Sequence, residues 1–355
     1  MSAERRRLDE AVAGTAKWRR FGPYLSERQW GTVREDYSAG GEAWSYLPHD
    51  DAPKRAYRWG EDGLLGMCDN RGLLCFAVAL WNGRDPILKE RLFGLAGPEG
   101  NHGEDVKEEY YYEDSTPTHS YARALYKYPQ TRYPYEELRA RNRAASRDEA
   151  EVDLADTGAF DDDRYFDVSV VYAKAGPNDV LITITARNKG DREAPLWLLP
   201  TAFFRNVWSW GDAAARSEMG VETTTKAFTT LLAEHEHLGK VRFYLEAPDE
   251  VLATDNDTNV EALFDAPNAR PWVKDAFHRY VIHGQKDAVH PGTVGSKIAG
   301  LYARRVAAGE SVIIRARLEA RCLIRERWIL VCDVQNTALE RQVLEAGVDQ
   351  ADVKN

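Results

Sequence analysis

From Phe166 to Leu318 the apolar residues recur at alternate positions, in short runs separated by turn-forming residues. Val168, Val170 and Tyr172 share one face of Phe166–Ala173, and Ile182 and Ile184 continue the alternation in Val180–Ala186. Gly176-Pro177-Asn178-Asp179 separates these two runs, and Asn188-Lys189-Gly190-Asp191 precedes a third, Leu196–Phe204. A period of two belongs to strands with one buried face, so the pattern predicts a β-meander. Lys240–Glu246, Leu301–Val306 and Ser311–Leu318 extend it, the last with Val312, Ile314, Ala316 and Leu318 on one face. This many short strands predict a mainly β chain: a large antiparallel β-sandwich with a few short helices. The clearest internal helix is Tyr135–Arg147, rich in Glu, Arg and Ala and opened by Pro134.

The segment Gly100–Glu108 has a different character. It holds Asn101, His102, Glu104, Asp105, Lys107 and Glu108, and runs into Tyr110-Tyr111-Tyr112. Such a cluster is costly to bury unless every member is paired, which predicts a loop at a functional or interface surface. Arg58-Trp59-Gly60-Glu61-Asp62-Gly63 and Ala79-Leu80-Trp81-Asn82-Gly83 have the same mixture of aromatic and polar residues. Aromatic rings can stack on sugars while carboxylates and amides bind hydroxyls, so Trp59 and Trp81 are candidate sugar or interface contacts. Trp197, Trp208 and Trp210 lie in or beside strand-like runs and are expected in the core. Lys89-Glu90-Arg91 is expected on a solvated or salt-bridged surface.

Composition narrows the function class. A net charge of -10 disfavours a nucleic-acid or anionic-membrane surface. No apolar run reaches the roughly 20 residues that span a bilayer. Met1–Arg20 lacks the apolar stretch of a secretory signal, and Cys68, Cys75, Cys322 and Cys332 lack paired spacing. The expectation is a cytoplasmic protein with reduced core thiols. His102, Glu104, Asp105 and His119 match no metal-ligand spacing, and His235-Glu236-His237 is expected on an exposed face. Phosphate-binding glycine loops and a G-x-S-x-G nucleophile motif are absent, so no cofactor and no metal is expected.

In combination, several of these motifs resemble a known family. They are Trp30–Tyr37, Arg58–Gly66, Cys75–Gly83, Lys89–Gly94, Gly100–Glu108, Pro117–Tyr121 and Tyr126–Gln130. Asp156-Thr157-Gly158, Phe166-Asp167-Val168, Leu199-Pro200-Thr201 and Phe204–Gly211 follow in order. The set is similar to the N-terminal half of the bacterial and fungal cytoplasmic glucosidases related to mannosyl-oligosaccharide glucosidase, glycoside hydrolase family 63. The resemblance implies a β-sandwich of supersandwich type leaning on a catalytic toroid of α-hairpins that hydrolyses with inversion. It covers roughly residues 20–318, and Cys322–Asn355 does not resemble the expected continuation.

The domain reading is a helical lead-in over 1–21, a glucosidase-like sandwich over 22–318 and a divergent tail over 319–355, with a short helix at Asn336–Ala346. The expected partners are a sugar or oligosaccharide and a toroid encoded separately, with no nucleic acid and no membrane. The site candidates are Trp59, Glu61, Asp62, Trp81, Asn82, Asn101, His102, Glu104, Asp105 and Lys107, in positioning and interface roles. No catalytic residue is assigned. Adjacent carboxylates on a strand point to opposite faces, so Glu61-Asp62 and Glu104-Asp105 each offer one group to a given pocket. The alternatives are a stand-alone carbohydrate-binding module and a self-sufficient hydrolase using Glu61 or Glu104. A sandwich built to brace a toroid should also expose a broad apolar or aromatic patch.

Overall fold

The computed structural model describes residues 2–25, 48–56, 63–100, 106–146, 148–210 and 216–320. The early strands are β1 (Phe21–Tyr24), β2 (Leu64–Asp69), β3 (Leu74–Trp81), β4 (Tyr110–Ser115) and β5 (Tyr121–Pro129). Then come β6 (Tyr165–Gly176), β7 (Asp179–Asn188), β8 (Ala194–Phe204), β9 (Met219–Thr224) and β10 (Phe228–His235). The last are β11 (Gly239–Glu246), β12 (Glu250–Thr254), β13 (Val294–Gly295), β14 (Lys297–Val306) and β15 (Ser311–Glu319). Among the described residues, four α-helices accompany them: α1 (Ala3–Val12), α2 (Tyr135–Ala144), α3 (Val260–Phe264) and α4 (Ala276–His283).

The strands form two antiparallel sheets, as expected for a sandwich. One has six strands in the order β1-β2-β3-β8-β14-β12, and the other nine in the order β13-β9-β10-β11-β15-β7-β6-β5-β4. The meander needs correcting. It consists of β4 to β7, while the third run, β8, crosses to the smaller sheet. The reason is in the residues. β6 up to Tyr172 and the whole of β7 alternate between buried and more exposed positions, whereas β8 is buried along most of its length. A strand apolar on both faces belongs inside a sheet covered on both sides. Pro200 brings no N–H to the ladder, and the β8–β14 pairing skips Leu199 and Pro200. β9 and β10 extend the larger sheet, and β2 to β5 join both sheets, beyond the alternating runs that start at Phe166.

The two sheets close on one core. Phe76, Val78 and Leu80 of β3 point inward to meet Tyr172, Ile184 and Phe243 of the larger sheet. The Phe76 ring sits edge-on to Tyr172 at 6.2 Å and parallel to Phe243 at 6.4 Å. The intervening residues of β3, Cys75, Ala77 and Ala79, face the other way and are also buried. Their cover comes from Leu25 on one side and from Leu88, Phe277 and Tyr280 on the other, the last two from α4. The larger sheet keeps its outer face wet, carrying ion pairs such as Lys127–Asp167 at 2.9 Å and Arg317–Asp179 at 2.6 Å.

The helical lead-in is held down. Glu4 accepts hydrogen bonds from Thr118 N (2.8 Å), Thr118 Oγ1 (2.7 Å) and Ser120 Oγ (2.8 Å). Lys174 Nζ donates to the carbonyls of Trp18 and Phe21, each at 2.5 Å. α2 ends at Ala144, three residues short of the expected boundary, because Ala145 turns extended. The helix at Asn336–Ala346 lies outside the described residues. The expected broad patch does not form among the described residues. The exposed large apolar side chains are Val12, Tyr111, Tyr112, Phe264, Val294 and Ile313, spread over α1, β4, α3, β13 and β15.

Because Phe76 joins both sheets, Phe76→Ala should cost about 3–5 kcal/mol, read as a lowered urea midpoint with little change in slope.

Candidate functional site

Beyond Trp81, Asn82 turns the chain back on itself. Its Oδ1 accepts from Arg84 N (2.9 Å) and Asp85 N (2.8 Å), while Nδ2 donates to the carbonyls of Pro129 (2.7 Å) and Thr131 (2.8 Å). Gly83 follows at φ 78°, and a Cβ there would sit 3.2 Å from Trp197, so glycine suits both the backbone and the space. The chain then returns alongside β3, with Leu80 and Lys89 exchanging backbone hydrogen bonds of 3.0 and 2.9 Å. This return delivers Asp85 and Lys89 beneath the surface, against the tyrosines of β5 and the segment after it.

There they meet Glu108. Lys89 Nζ lies 2.6 Å from Glu108 Oε1, and both side chains are buried to 1% exposure or less. Glu108 also accepts from Phe93 N (2.7 Å) and from the Tyr126 hydroxyl. Lys89 Nζ lies 3.9 Å from the ring centre of Tyr133 and 4.8 Å from that of Tyr135, so the ammonium has a carboxylate and two aromatic faces around it. Asp85 Oδ2 accepts from the hydroxyls of Tyr128 (3.0 Å) and Tyr135 (3.2 Å), and Oδ1 from Ile87 N (3.2 Å). Burial pushes the Asp85 carboxyl up to about 6, against the pull of Lys89. Tyr133 donates its hydroxyl proton to the Lys107 carbonyl. Lys107 itself pairs with Glu151 and, at 3.1 Å, with Asp153. Burial lowers the Lys107 ammonium, but these two carboxylates outweigh it and leave it above its ordinary value.

An open cavity of about 430 Å³ adjoins this network. His49, Tyr133 and Tyr135 form its aromatic wall, with Asp50, Arg132 and Arg139 among its polar residues. His49 stacks on Tyr135 at 4.7 Å and meets Phe93 edge-on at 4.5 Å. Burial, helped by Lys89 and Arg139, holds its imidazole well below the ordinary range, so it is neutral at pH 7. Glu99 accepts from His49 N (3.2 Å) and Ala96 N (3.0 Å) and pairs with Arg139 at 3.5 Å, so it too is engaged. The arrangement can hydrogen-bond and pack a polar ligand. Its buried carboxylates are committed to protein donors.

Of the candidates read from sequence, Trp81, Asn82 and Lys107 come together here. Trp81 is half-buried, tilted against Trp197 at 4.5 Å, and donates its indole N–H to the Asp85 carbonyl at 2.8 Å. Trp59, Glu61, Asp62, Asn101, His102, Glu104 and Asp105 lie outside the described residues. The described end of the Gly100–Glu108 cluster is buried, not a surface loop, because Lys107 and Glu108 find partners inside. The Lys89-Glu90-Arg91 surface is likewise corrected. Lys89 and Arg91 are buried, and Glu90 pairs with Lys297 at 2.5 Å.

Sequence reasoning missed Asp85 and the tyrosines. The available signal was Tyr126-Lys127-Tyr128, where two hydroxyl-bearing rings fall on the inward face of a strand and need buried acceptors. It also missed Thr254–Asn259, six consecutive polar residues that are buried or half-buried. Asp257 there accepts from Asn206 (2.9 Å), Trp208 Nε1 (2.7 Å) and Arg216, tying down the Phe204–Gly211 motif.

The uncharacterized protein YMR196W of Saccharomyces cerevisiae is 40% identical over 347 residues, covering 88% of this chain. The chain spans about a third of that relative's length, 32%. No family model matches. Among solved structures, a polysaccharide lyase overlaps 70% of this chain and 25% of its own, at 10% identity and a TM-score of 0.32. A human-microbiome protein described as a kojibiose phosphorylase overlaps 81% of this chain and 31% of its own, at 10% identity and a TM-score of 0.28. A protein of Escherichia coli K12 described as an aldose 1-epimerase overlaps 59% of this chain and 68% of its own, at 9% identity and a TM-score of 0.26. Overlap this low does not establish a shared fold.

The raised Asp85 carboxyl makes a signed prediction. Unfolded, the group releases its proton near 3.8; folded, it holds it to about 6. Stability from this site is therefore present at the acid end and lost as pH rises through that window. Compared with Asp85→Asn, the wild-type chain should lose on the order of 3 kcal/mol between pH 4 and 7. Paired urea titrations measure this, and a constant difference would mean Asp85 titrates as an ordinary carboxylate.

Proposed function

We propose that this chain is the non-catalytic, sugar-contacting β-sandwich domain of a cytoplasmic glucosidase-like glycoside hydrolase that acts on α-glucosides or oligosaccharides. Its work is to brace a catalytic α-toroid and to wall one side of the substrate pocket. One observation carries this reading. Four motif segments of the resemblance, Cys75–Gly83, Lys89–Gly94, Gly100–Glu108 and Tyr126–Gln130, contribute Asn82, Lys89, Phe93, Glu108, Tyr126 and Tyr128 to one bonded network beside an open cavity.

The chemistry of that network supports positioning over catalysis. Inversion needs an acid and a base about 6.5–9.5 Å apart with water between them. Asp85 and Glu108 instead each accept three protein hydrogen bonds in a buried setting. The cavity's ring-lined wall and charged groups are the materials of sugar recognition. Trp81 is proposed to contact ligand or toroid, while Asn82 and Lys107 act through the loops they hold. Trp59, Glu61, Asp62, Asn101, His102, Glu104 and Asp105 are kept as proposed contacts. The matched region of the yeast relative is one part of a single longer chain, which gives no support to a separately encoded toroid.

The test combines calorimetric titration of glucose and small α-glucosides with a hydrolysis assay on aryl α-glucosides. Binding without turnover is expected, weakened several-fold by Arg132→Ala at the cavity. Turnover abolished by Glu→Gln at position 61 or 104 would establish the self-sufficient hydrolase instead. Absence of both binding and turnover would overturn the sugar-contacting role.

A further inference from the structure

α4 carries two histidines that the network does not use. Leu88 N–H donates to His278 Nδ1 at 3.2 Å, and His278 Nε2 lies 3.1 Å from His283 Nε2. The first bond decides the second. Nδ1 must offer its lone pair to Leu88, so the ring's single proton sits on Nε2 and is donated to His283. The result is a one-directional relay from Leu88 N–H through His278 to His283.

A second proton on either ring breaks the relay. On His278 it occupies Nδ1 and faces the Leu88 N–H; on His283 it occupies Nε2 and faces the His278 N–H. Either way a hydrogen bond is lost, and at the part-buried Leu88 contact a proton on Nδ1 leaves two donors pointing at each other, which costs more than the bond alone. The same tautomer logic excludes this pair as a ready metal ligand set, because His278 has no free lone pair to give.

We propose that His278 and His283 form a proton-sensitive clasp, closed when both rings are neutral, that fastens α4 to the 86–91 loop. That loop places Lys89 in the tyrosine network and Glu90 against Lys297, so the clasp bears on the cover of the six-stranded sheet. The charged groups facing His278 are Glu90 from the loop, Asp275 at the start of α4, Lys54 from the Ala52–Lys54 turn and His283 itself. Burial and His283 hold the His278 imidazole below its ordinary value, against Glu90 and Asp275. The clasp is therefore closed at neutral pH and opens as pH falls.

Hydrogen–deuterium exchange on the full chain at about pH 7.5 and about pH 5 tests this, with rates corrected for the intrinsic effect of pH. In the wild-type protein, protection over 86–91 and 276–283 should fall about tenfold at the lower pH, the equivalent of one hydrogen bond. The double variant His278→Asn with His283→Gln keeps an acceptor for Leu88 and for position 278 but cannot titrate there. Its protection should show no fall at the lower pH, where protonation of Asp85 acts in the opposite direction and can only add stability. Unchanged wild-type protection, or an equal fall in the double variant, would overturn the proposal.

Discussion

The Lys89–Glu108 ion pair is the contact on which the cover of the smaller sheet depends. Two charges cannot be left under a sheet unpaired; losing either partner of such a buried pair costs about 3–5 kcal/mol. Here the pair is closed at 2.6 Å and its remaining capacity is taken up by Phe93 N, the Tyr126 hydroxyl and two tyrosine rings. Because Lys89 is fixed, its neighbour Glu90 is turned toward Lys297 on β14, and Leu88 toward α4. Three consecutive residues thus fasten the 86–91 loop to the tyrosine cluster, the sheet and the helix.

This fastening follows from an asymmetry between the sheets. The nine-stranded sheet is buried on one face and meets water with cross-strand ion pairs on the other, which needs no further layer. The six-stranded sheet is apolar on both faces through β3, β8 and β14 and must be covered twice. Its second cover is built from irregular segments, whose backbone groups and side chains need partners away from water. Polar networks gather where these segments meet the sheets, around Asp85 and Glu108 beside the inward-facing Tyr126 and Tyr128 of the larger sheet and again around Asp255 and Asp257. The cavity walled by His49 and Tyr135 opens beside the first of them.

The alternating runs and their turns determined the sandwich, because a strand with one buried face must place apolar residues two apart. The same reading applied to Leu196–Phe204 would have shown a strand buried on both sides and so belonging to a different sheet from β6 and β7. The density of charge and aromatic residues in 79–83 and 100–108 singled out Trp81, Asn82 and Lys107, each of which hydrogen-bonds into or beside the tyrosine network. It could not say that Asn82 and Lys107 are buried. A charged cluster reads as surface until its partners are known, and Glu151 and Asp153, which neutralise Lys107, lie more than forty residues away.

By itself, then, the sequence determined the fold class and the strand periods of β6, β7 and β15. Those depend on local spacing, and spacing is written along the chain. The tertiary structure alone decided which sheet each strand joins, that Lys89 meets Glu108 and that the Asp85 carboxyl is raised. It also decided that Leu88 sets the tautomer of His278. Each of these rests on groups distant in sequence that share one low-dielectric space, and both their pairing and their protonation depend on which of them arrive there.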